Sequence, residues 1–372
     1  MIYLDYNATT PIAPEVVRAM QPFLAGEFGN PSSDYPLGVR ARDAVAQARQ
    51  QVAGLLSCRP QEIVFTSGAT EANNTVLKGV ARHFGQGQII TTAIEHPAVL
   101  APCRELESQG FEITILPVDF RGLVDPDAVR RALTPKTILI SVMHANNETG
   151  ALQPIMEIGD LARAAGVWFH TDAAQSVGKV PVRVAELQVD FLTLAGHKFY
   201  APKGVGALYV RPGCAFSPLL HGAAQEGGRR AGTENVPYIV ALGEACALAR
   251  EQLHQDASHL QGLRDLLHAR LLAGFPGLVL NGPVTERLPN TLNVSFPGLS
   301  GSAILGGIPE LAASLGAACH TGAETMSPVL AAMGLAMEVA RGALRLSVGR
   351  PTTAAEVERA AELLLARVRE LR

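Results

Sequence analysis

Short runs of apolar and β-branched residues recur along the first half of the chain, at Ile63-Val64-Phe65-Thr66, Ile89-Ile90-Thr91-Thr92, Ile113-Thr114-Ile115-Leu116 and Thr137-Ile138-Leu139-Ile140-Ser141-Val142. Three more follow at Val167-Trp168-Phe169-His170, Phe191-Leu192-Thr193-Leu194 and Ala207-Leu208-Tyr209-Val210. Such runs predict strands, seven in all. Most intervals between them carry apolar positions at three-and-four spacing, as at Val45, Ala48, Val52 and Leu55, which predicts helices. Strand alternating with helix predicts an α/β fold with a mainly parallel sheet covered on both faces. In such a sheet ligands bind beyond the carboxyl ends of the strands, so the polar residues directly after each run are the candidates for chemistry.

After about Pro237 the pattern becomes one long helix with the apolar stripe Leu253, Leu260, Leu263, Leu267 and Leu271. Two further strand runs, Thr291-Leu292-Asn293-Val294-Ser295-Phe296 and Leu344-Arg345-Leu346-Ser347-Val348, precede a closing helix from Ala354 to Leu371. The expected division is a large domain over 14–245 and a smaller α+β domain made of 1–13 plus 246–372. With no internal repeat and no low-complexity linker, the two are expected to pack together.

Composition narrows the function. A formal charge of −3 without any Lys/Arg run gives no field to collect nucleic acid or an anionic membrane. No apolar stretch approaches the roughly 18 residues of a membrane span. The start Met1-Ile2-Tyr3-Leu4-Asp5-Tyr6 has no basic and apolar leader pattern, so a cytoplasmic protein acting on small molecules is expected. Cys58, Cys103, Cys214, Cys246 and Cys319 form no CxxC pair and no metal-ligand spacing, so they read as reduced thiols, with no metal site.

Five polar clusters follow the strand runs or lie between apolar runs. Thr66-Ser67-Gly68-Ala69-Thr70-Glu71-Ala72-Asn73-Asn74 suits a turn at a helix N-terminus, a phosphate site with the Thr70 hydroxyl as an added donor; alone, it reads equally as an ordinary N-cap. His96 is either a core histidine or an imidazole that stacks on a flat ring and moves protons. Asp172, in His170-Thr171-Asp172-Ala173-Ala174-Gln175, is either a cap or a carboxylate that holds a protonated pyridine nitrogen. Lys198, in Ala195-Gly196-His197-Lys198-Phe199, follows a buried-type run, where a partly desolvated amine forms Schiff bases. Cys319, in Gly316-Ala317-Ala318-Cys319-His320-Thr321-Gly322, is either a buried structural thiol or one that His320 helps to ionise. Occurring in this order, the clusters supply a phosphate cradle, a ring stacker, a pyridine partner, an amine and a thiol.

These stretches, with Leu4-Asp5-Tyr6-Asn7-Ala8-Thr9-Thr10-Pro11, Gly29-Asn30-Pro31-Ser32-Ser33, Asn146-Asn147-Glu148-Thr149-Gly150, Arg230-Ala231-Gly232-Thr233-Glu234-Asn235 and Arg345-Leu346-Ser347-Val348-Gly349-Arg350, resemble the cysteine desulfurase and selenocysteine lyase family. That family is the class V aminotransferase branch of the fold-type I pyridoxal-phosphate enzymes. The resemblance implies that Lys198 carries pyridoxal 5'-phosphate, that His96 stacks on its ring and that Asp172 binds the pyridine nitrogen, with Gln175 and Asn147 near the ring oxygen. It implies that Ala69, Thr70 and His197 hold the phosphate with Thr233 of a second subunit, hence a homodimer. Arg345, assisted by Asn30, would clamp the substrate carboxylate, and Cys319 would take sulfur or selenium as alanine forms and pass it to an acceptor thiol or protein. The alternatives on the same scaffold are a selenocysteine-specific lyase and a β-lyase or aminotransferase that does not use Cys319. A non-catalytic cofactor-binding regulator is a further rival.

The chain departs from the family at several points. Ala195 stands where many relatives place a phosphate-binding hydroxyl, and Gly222-Ala223-Ala224-Gln225-Glu226-Gly227 lacks the usual arginine. Ala317 and His320 flank Cys319 in a spelling closer to animal selenocysteine lyases. The chain ends at Arg372, so docking to an iron–sulfur scaffold through a long tail is not expected.

Overall fold

The computed structural model describes residues 1–315, 317–320 and 323–372, with side chains described outside 316–325. Seven strands form one sheet: β1 (Ile63–Thr66), β2 (Gln88–Thr92), β3 (Glu112–Leu116), β4 (Thr137–Ser141), β5 (Trp168–Asp172), β6 (Phe191–Ala195) and β7 (Gly206–Val210). Their spatial order is β1-β7-β6-β5-β4-β2-β3. Neighbours from β3 across to β6 pair in parallel, whereas β7 is antiparallel to both β6 and β1.

Burial explains why the strands read as continuous apolar runs. Every residue of β1, β2, β4, β6 and β7 is buried, as expected for a sheet covered on both faces. The edge strand β3 is only partly covered and leaves Ile115 exposed. Helices cover the faces, among them Pro36–Leu56, Ala69–Phe84 and Ile155–Ala165.

The long helix begins at Val236, where the Asn235 side chain accepts from the Tyr238 N–H, and runs for 39 residues to Gly274. Its two halves serve different cores. Ala241, Leu242, Ala245, Cys246 and Ala249 join the apolar core of the large sheet. Leu260, Leu263, Leu267 and Leu271 join a second core with Leu292, Val294, Leu344, Leu346, Val357 and Leu364. The strands of that second core are Thr291–Ser295 and Ala343–Ser347, antiparallel and flanked by the short strands Ser314–Leu315 and Val279–Leu280. The closing helix, Ala354–Glu370, starts with a capping box between Thr353 and Glu356.

The N-terminal segment stitches the two parts. Ile2–Tyr3 pairs in parallel with Leu311–Ala312, and Asp5 bridges to Ser347. Thr10 then reaches the large sheet, its N–H donating to the His197 carbonyl and its hydroxyl accepting from the Tyr200 N–H. Asn7 is thereby placed where the carboxyl ends of the strands meet the smaller core.

Candidate active site

The clusters around Thr70, His96, Asp172 and Lys198 converge on one cavity of about 550 Å³ at the carboxyl ends of the strands. Ala69 and Thr70 form one end, His96, Asp172 and Gln175 line the middle, and His197, Lys198, Asn147 and Arg345 complete the wall.

At the first end, β1 turns into the helix Ala69–Phe84 through Gly68, whose φ of 151° lies where only glycine is comfortable. Gly68 is the N-cap, and no side chain caps the helix. The ordinary-cap reading of Ser67 and Thr70 is therefore replaced by a helix start whose first N–H groups lack intrahelical acceptors and face the cavity. A Cβ on Gly206 of β7 would meet the Leu194 carbonyl at 2.6 Å and the Gly68 Cα at 2.8 Å, so the turn lies directly against the sheet. Glu71 fixes it further, accepting the Ser67 N–H at 2.8 Å and a two-pronged contact from Arg230 at 2.9 and 3.3 Å. Burial alone would push the Glu71 carboxyl up, yet the Arg230 and Ser67 bonds hold it below its usual range.

In the middle, Asp172 ends β5 with its two oxygens committed differently. Oδ1 accepts from the Ala174 N–H at 2.9 Å, which is the cap-like role, and Oδ2 accepts from Asn73 Nδ2 at 2.7 Å. Both readings of Asp172 hold at once, because the turn and Asn73 together orient a buried carboxylate in the cavity wall. His96 caps the helix Pro97–Ser108 with Nδ1, which accepts from the Ala98 N–H at 3.0 Å. That bond leaves any ring proton of the neutral form on Nε2. Burial, then the Lys198 charge, lowers the His96 pKa, with Asp172 opposing.

Lys198 closes the tight turn Gly196–Lys198 after β6. Its Nζ donates to the carbonyls of Asn7 and Ala8 at 2.7 and 2.9 Å. Burial, followed by the Arg345 cation, draws its ammonium down to about 8, while Asp172 and Asp5 pull the other way. At that value roughly a tenth is free amine at neutral pH. His197 beside it rests on Thr9 Oγ1 at 3.2 Å, and burial with Lys198, Lys203 and Lys179 nearby holds it at about 4.

Arg345, on the strand Ala343–Ser347, reaches across from the smaller core. Nη2 donates to Asp5 Oδ1 at 2.7 Å and Ser314 Oγ at 2.8 Å, and Nη1 donates to the Asn147 carbonyl at 3.1 Å. Nε is buried without an acceptor among the described residues. The guanidinium is thus held in place, and the second N–H of Nη1, which makes one bond among the described residues, is the donor left for a ligand. Asn147 is carried by a loop that Asn146 shapes, Oδ1 of Asn146 accepting the N–H groups of Glu148 and Thr149 at 2.9 Å each.

Two expected site residues stand apart. Asn30 is exposed, its Oδ1 accepting the Ser32 N–H at 3.0 Å, and it does not line the cavity. Thr233 is also exposed and absent from the cavity wall of its own chain. The thiol of Cys319 lies outside the described residues.

Three further residues, Asn7, Asn73 and Asp5, orient the groups of the site. Asn7 accepts from Lys198 and Gln175 through its carbonyl, at 2.7 and 3.0 Å, and its side chain joins Asn290 at 3.0 Å and Thr291 at 2.9 Å. Asn73 and Asp5 orient Asp172 and Arg345 respectively. All three lie inside quoted sequence motifs, which was the signal available.

The class V aminotransferase family profile matches residues 2–360. A cysteine desulfurase IscS of Dictyoglomus turgidum is 45% identical over 375 residues, covering 100% of this chain and 95% of that protein. Another cysteine desulfurase IscS, from Methanosarcina thermophila, is 48% identical over 376 residues, covering 100% of this chain and 93% of its own length. Among solved structures, a NifS-like protein superposes with a TM-score of 0.93 at 37% identity, covering 100% of both chains. Matched over residues 2–360 by the family profile and over its full length by cysteine desulfurases at 45–48% identity, the chain belongs to the class V aminotransferase family, on its cysteine desulfurase branch.

Proposed function

We propose that the protein is a pyridoxal-phosphate-dependent cysteine desulfurase that converts L-cysteine to L-alanine and collects the sulfur on Cys319. The observation that carries this reading is a single cavity holding a half-buried lysine amine of lowered pKa, an oriented carboxylate and an uncapped helix N-terminus. These groups fit the cofactor: an amine for its aldehyde, an acceptor for its ring nitrogen and free N–H groups for its phosphate. When bound, pyridoxal phosphate supplies an electron sink that weakens the bonds at the substrate Cα.

The remaining work belongs to the chain. Lys198 would hold the cofactor, and its free amine would take the substrate Cα proton, for which a pKa of about 8 is well placed. Asp172 would keep the ring nitrogen protonated, with Asn73 fixing the carboxylate. His96 would stack on the ring, and Gln175 and Asn147 would serve its oxygen. Ala69, Thr70 and His197 would hold the phosphate, completed by Thr233 from a second copy in a homodimer. Arg345 would bind the substrate carboxylate, with Asn30 assisting once the dimer or the bound substrate brings it closer. Cys319 would attack as a thiolate: an S–S bond forms to the substrate sulfur as its Cβ–S bond breaks, the electron pair of that bond stays on Cβ and is protonated as alanine forms, and the persulfide passes its outer sulfur to an acceptor thiol or protein. We place this activity in the cytoplasm, where thiols stay reduced. The division into domains over 14–245 and over 1–13 plus 246–372 would fall within the long helix.

The test is turnover of L-cysteine and, in parallel, L-selenocysteine by the purified protein, with alanine, pyruvate and sulfide quantified. Alanine in step with sulfide, and a Cys319 peptide heavier by one sulfur atom, is expected. Pyruvate and ammonia would make the protein a β-lyase, and binding of cofactor without turnover would make it a regulator.

A further inference from the structure

The reaction above leaves one buried cation of the site unused. Lys179 lies four residues beyond Gln175, in the turns that follow β5, and is only 5% exposed. Its Nζ donates to Gln175 Oε1 at 2.9 Å and to Asn7 Oδ1 at 3.5 Å. Among the described residues no carboxylate forms an ion pair with it, and a buried ammonium without one is costly. The charged groups that act on it are themselves cations, Lys198 and Arg345, and these with burial draw it down to about 7. His197 also feels its charge. On its other side, Tyr6, Tyr200, Asp256 and Arg350 share a narrow cleft with it, where Arg350 already engages Asp256 at 2.5 Å.

Gln175 links this cation to the cavity. An ammonium can only donate, so Lys179 requires the Gln175 amide oxygen. The amide nitrogen is left to face the Asn7 carbonyl, to which it donates at 3.0 Å, in the wall of the cavity. The same carbonyl accepts from Lys198 Nζ at 2.7 Å, so Lys179, Gln175, Asn7 and Lys198 form one continuous chain of contacts.

We propose that Lys179 is a positioning residue of the cofactor site, which holds the Gln175 amide nitrogen toward the ring oxygen of bound pyridoxal phosphate and carries a charge that the anionic cofactor balances. This rests on the pyridoxal-phosphate reading above. Two consequences follow from the charge. Removing it takes a favourable cation from beside an anionic ligand, so the cofactor binds more weakly. It also removes a cation from beside the loaded site, where the anionic cofactor keeps Lys179 charged, so the protonated form of the loaded Lys198 persists to higher pH.

The experiment compares wild type with Lys179→Met, Lys179→Gln and Lys179→Arg in two measurements. In the cofactor-free protein, the rate of acylation of Lys198 is followed against pH by peptide mass spectrometry. In the loaded protein, pyridoxal phosphate affinity and the pH midpoint of the visible absorbance are recorded. The Met and Gln variants should leave the acylation midpoint of Lys198 unchanged, because in the cofactor-free protein Lys179 gives up its proton before Lys198 does. They should raise the absorbance midpoint of the loaded protein by about one pH unit, as expected for loss of a nearby like charge, and weaken affinity about tenfold, as for loss of a charge-assisted contact. Lys179→Arg should recover most of both changes. The neutral Gln variant keeps a polar side chain, so the proposal remains testable even where Lys179→Met does not fold. An absorbance midpoint and affinity in the neutral variants equal to wild type would overturn the proposal. A wild-type protein that takes up no pyridoxal phosphate would instead overturn the functional reading.

Discussion

Replacing Arg345 by alanine should separate substrate recognition from cofactor binding. The guanidinium is fixed by Asp5 and Ser314 on Nη2, at 2.7 and 2.8 Å, and by the Asn147 carbonyl on Nη1 at 3.1 Å. Nη1 makes only that one bond among the described residues, so one of its N–H groups remains for a substrate carboxylate. A hydrogen bond to a charged group is worth about 1.5–3 kcal/mol, so the KM for L-cysteine should rise roughly ten- to a hundredfold. A second effect runs through Lys198, because burial first and the Arg345 cation second lower its pKa from 10.5 to about 8. Loss of that cation makes the amine more basic, so the acid limb of the kcat/KM profile should move to higher pH. Alanine formation measured over a range of pH and cysteine concentrations reads both effects. Arg345→Lys should restore part of the pH profile but little of the affinity, since a point charge lacks the two-pronged fork. An unchanged KM, or loss of cofactor colour, would show that Arg345 belongs to a different part of the site.

Borohydride reduction of the yellow protein should fix the pyridoxyl group on Lys198 in peptide maps, and recovery on Lys136, Lys179 or Lys203 would refute the assignment. Cys319→Ala should abolish alanine formation from L-cysteine while sparing part of the activity on L-selenocysteine, whose selenolate leaves more readily; cysteine turnover at the wild-type rate would remove Cys319 from the reaction. Glu95 is buried beside the site, and burial pushes its carboxyl from 4.5 up to about 8, against the bonds from Met143 and Thr92. The folded state therefore holds a proton that the unfolded chain releases above about 4.5, so Glu95 contributes stability that is present at low pH and lost as pH rises toward 8. Glu95→Gln should flatten that decline in thermal melts across the same window, and parallel curves for the two proteins would contradict it.

The strands were legible because a sheet covered on both faces demands uninterrupted apolar residues. All seven runs became strands, with ends shifted by no more than one or two residues. The site was legible for a related reason: a parallel sheet places the residues that follow its strands at one edge, so Thr70, His96, Asp172 and Lys198 had to converge once the strands were aligned. What could not be read were the partners supplied from a distance. Asn7 gains its role from Lys198, Gln175 and Asn290, which lie 191, 168 and 283 residues away along the chain. Lys179 carries no local mark that separates it from a solvated lysine. Asn30, expected at the substrate by resemblance alone, caps an exposed turn through its bond to Ser32. Local sequence specified which groups were offered, and tertiary contacts decided which were oriented.

The arrangement of charge also accounts for a departure in the motif before the lysine. Ala195, buried at the end of β6, offers no hydroxyl to a phosphate. The cavity wall nevertheless carries Lys198, Lys203 and Arg345, with Lys179 behind Gln175, against the carboxylates Asp172 and Asp5 near Lys198 and Glu71, which Arg230 already pairs. Asp172 and Asp5 are each already engaged, by Asn73 and by Arg345. The lowered pKa values of Lys198, Lys179 and His197 share burial and neighbouring cations as their causes. Such a pocket is short of negative charge, and a ligand bearing a phosphate, a ring oxygen anion and a substrate carboxylate would relieve it at three separate points. One missing hydroxyl then removes a single neutral hydrogen bond from a site whose affinity rests mainly on charge and on the helix N-terminus at Ala69.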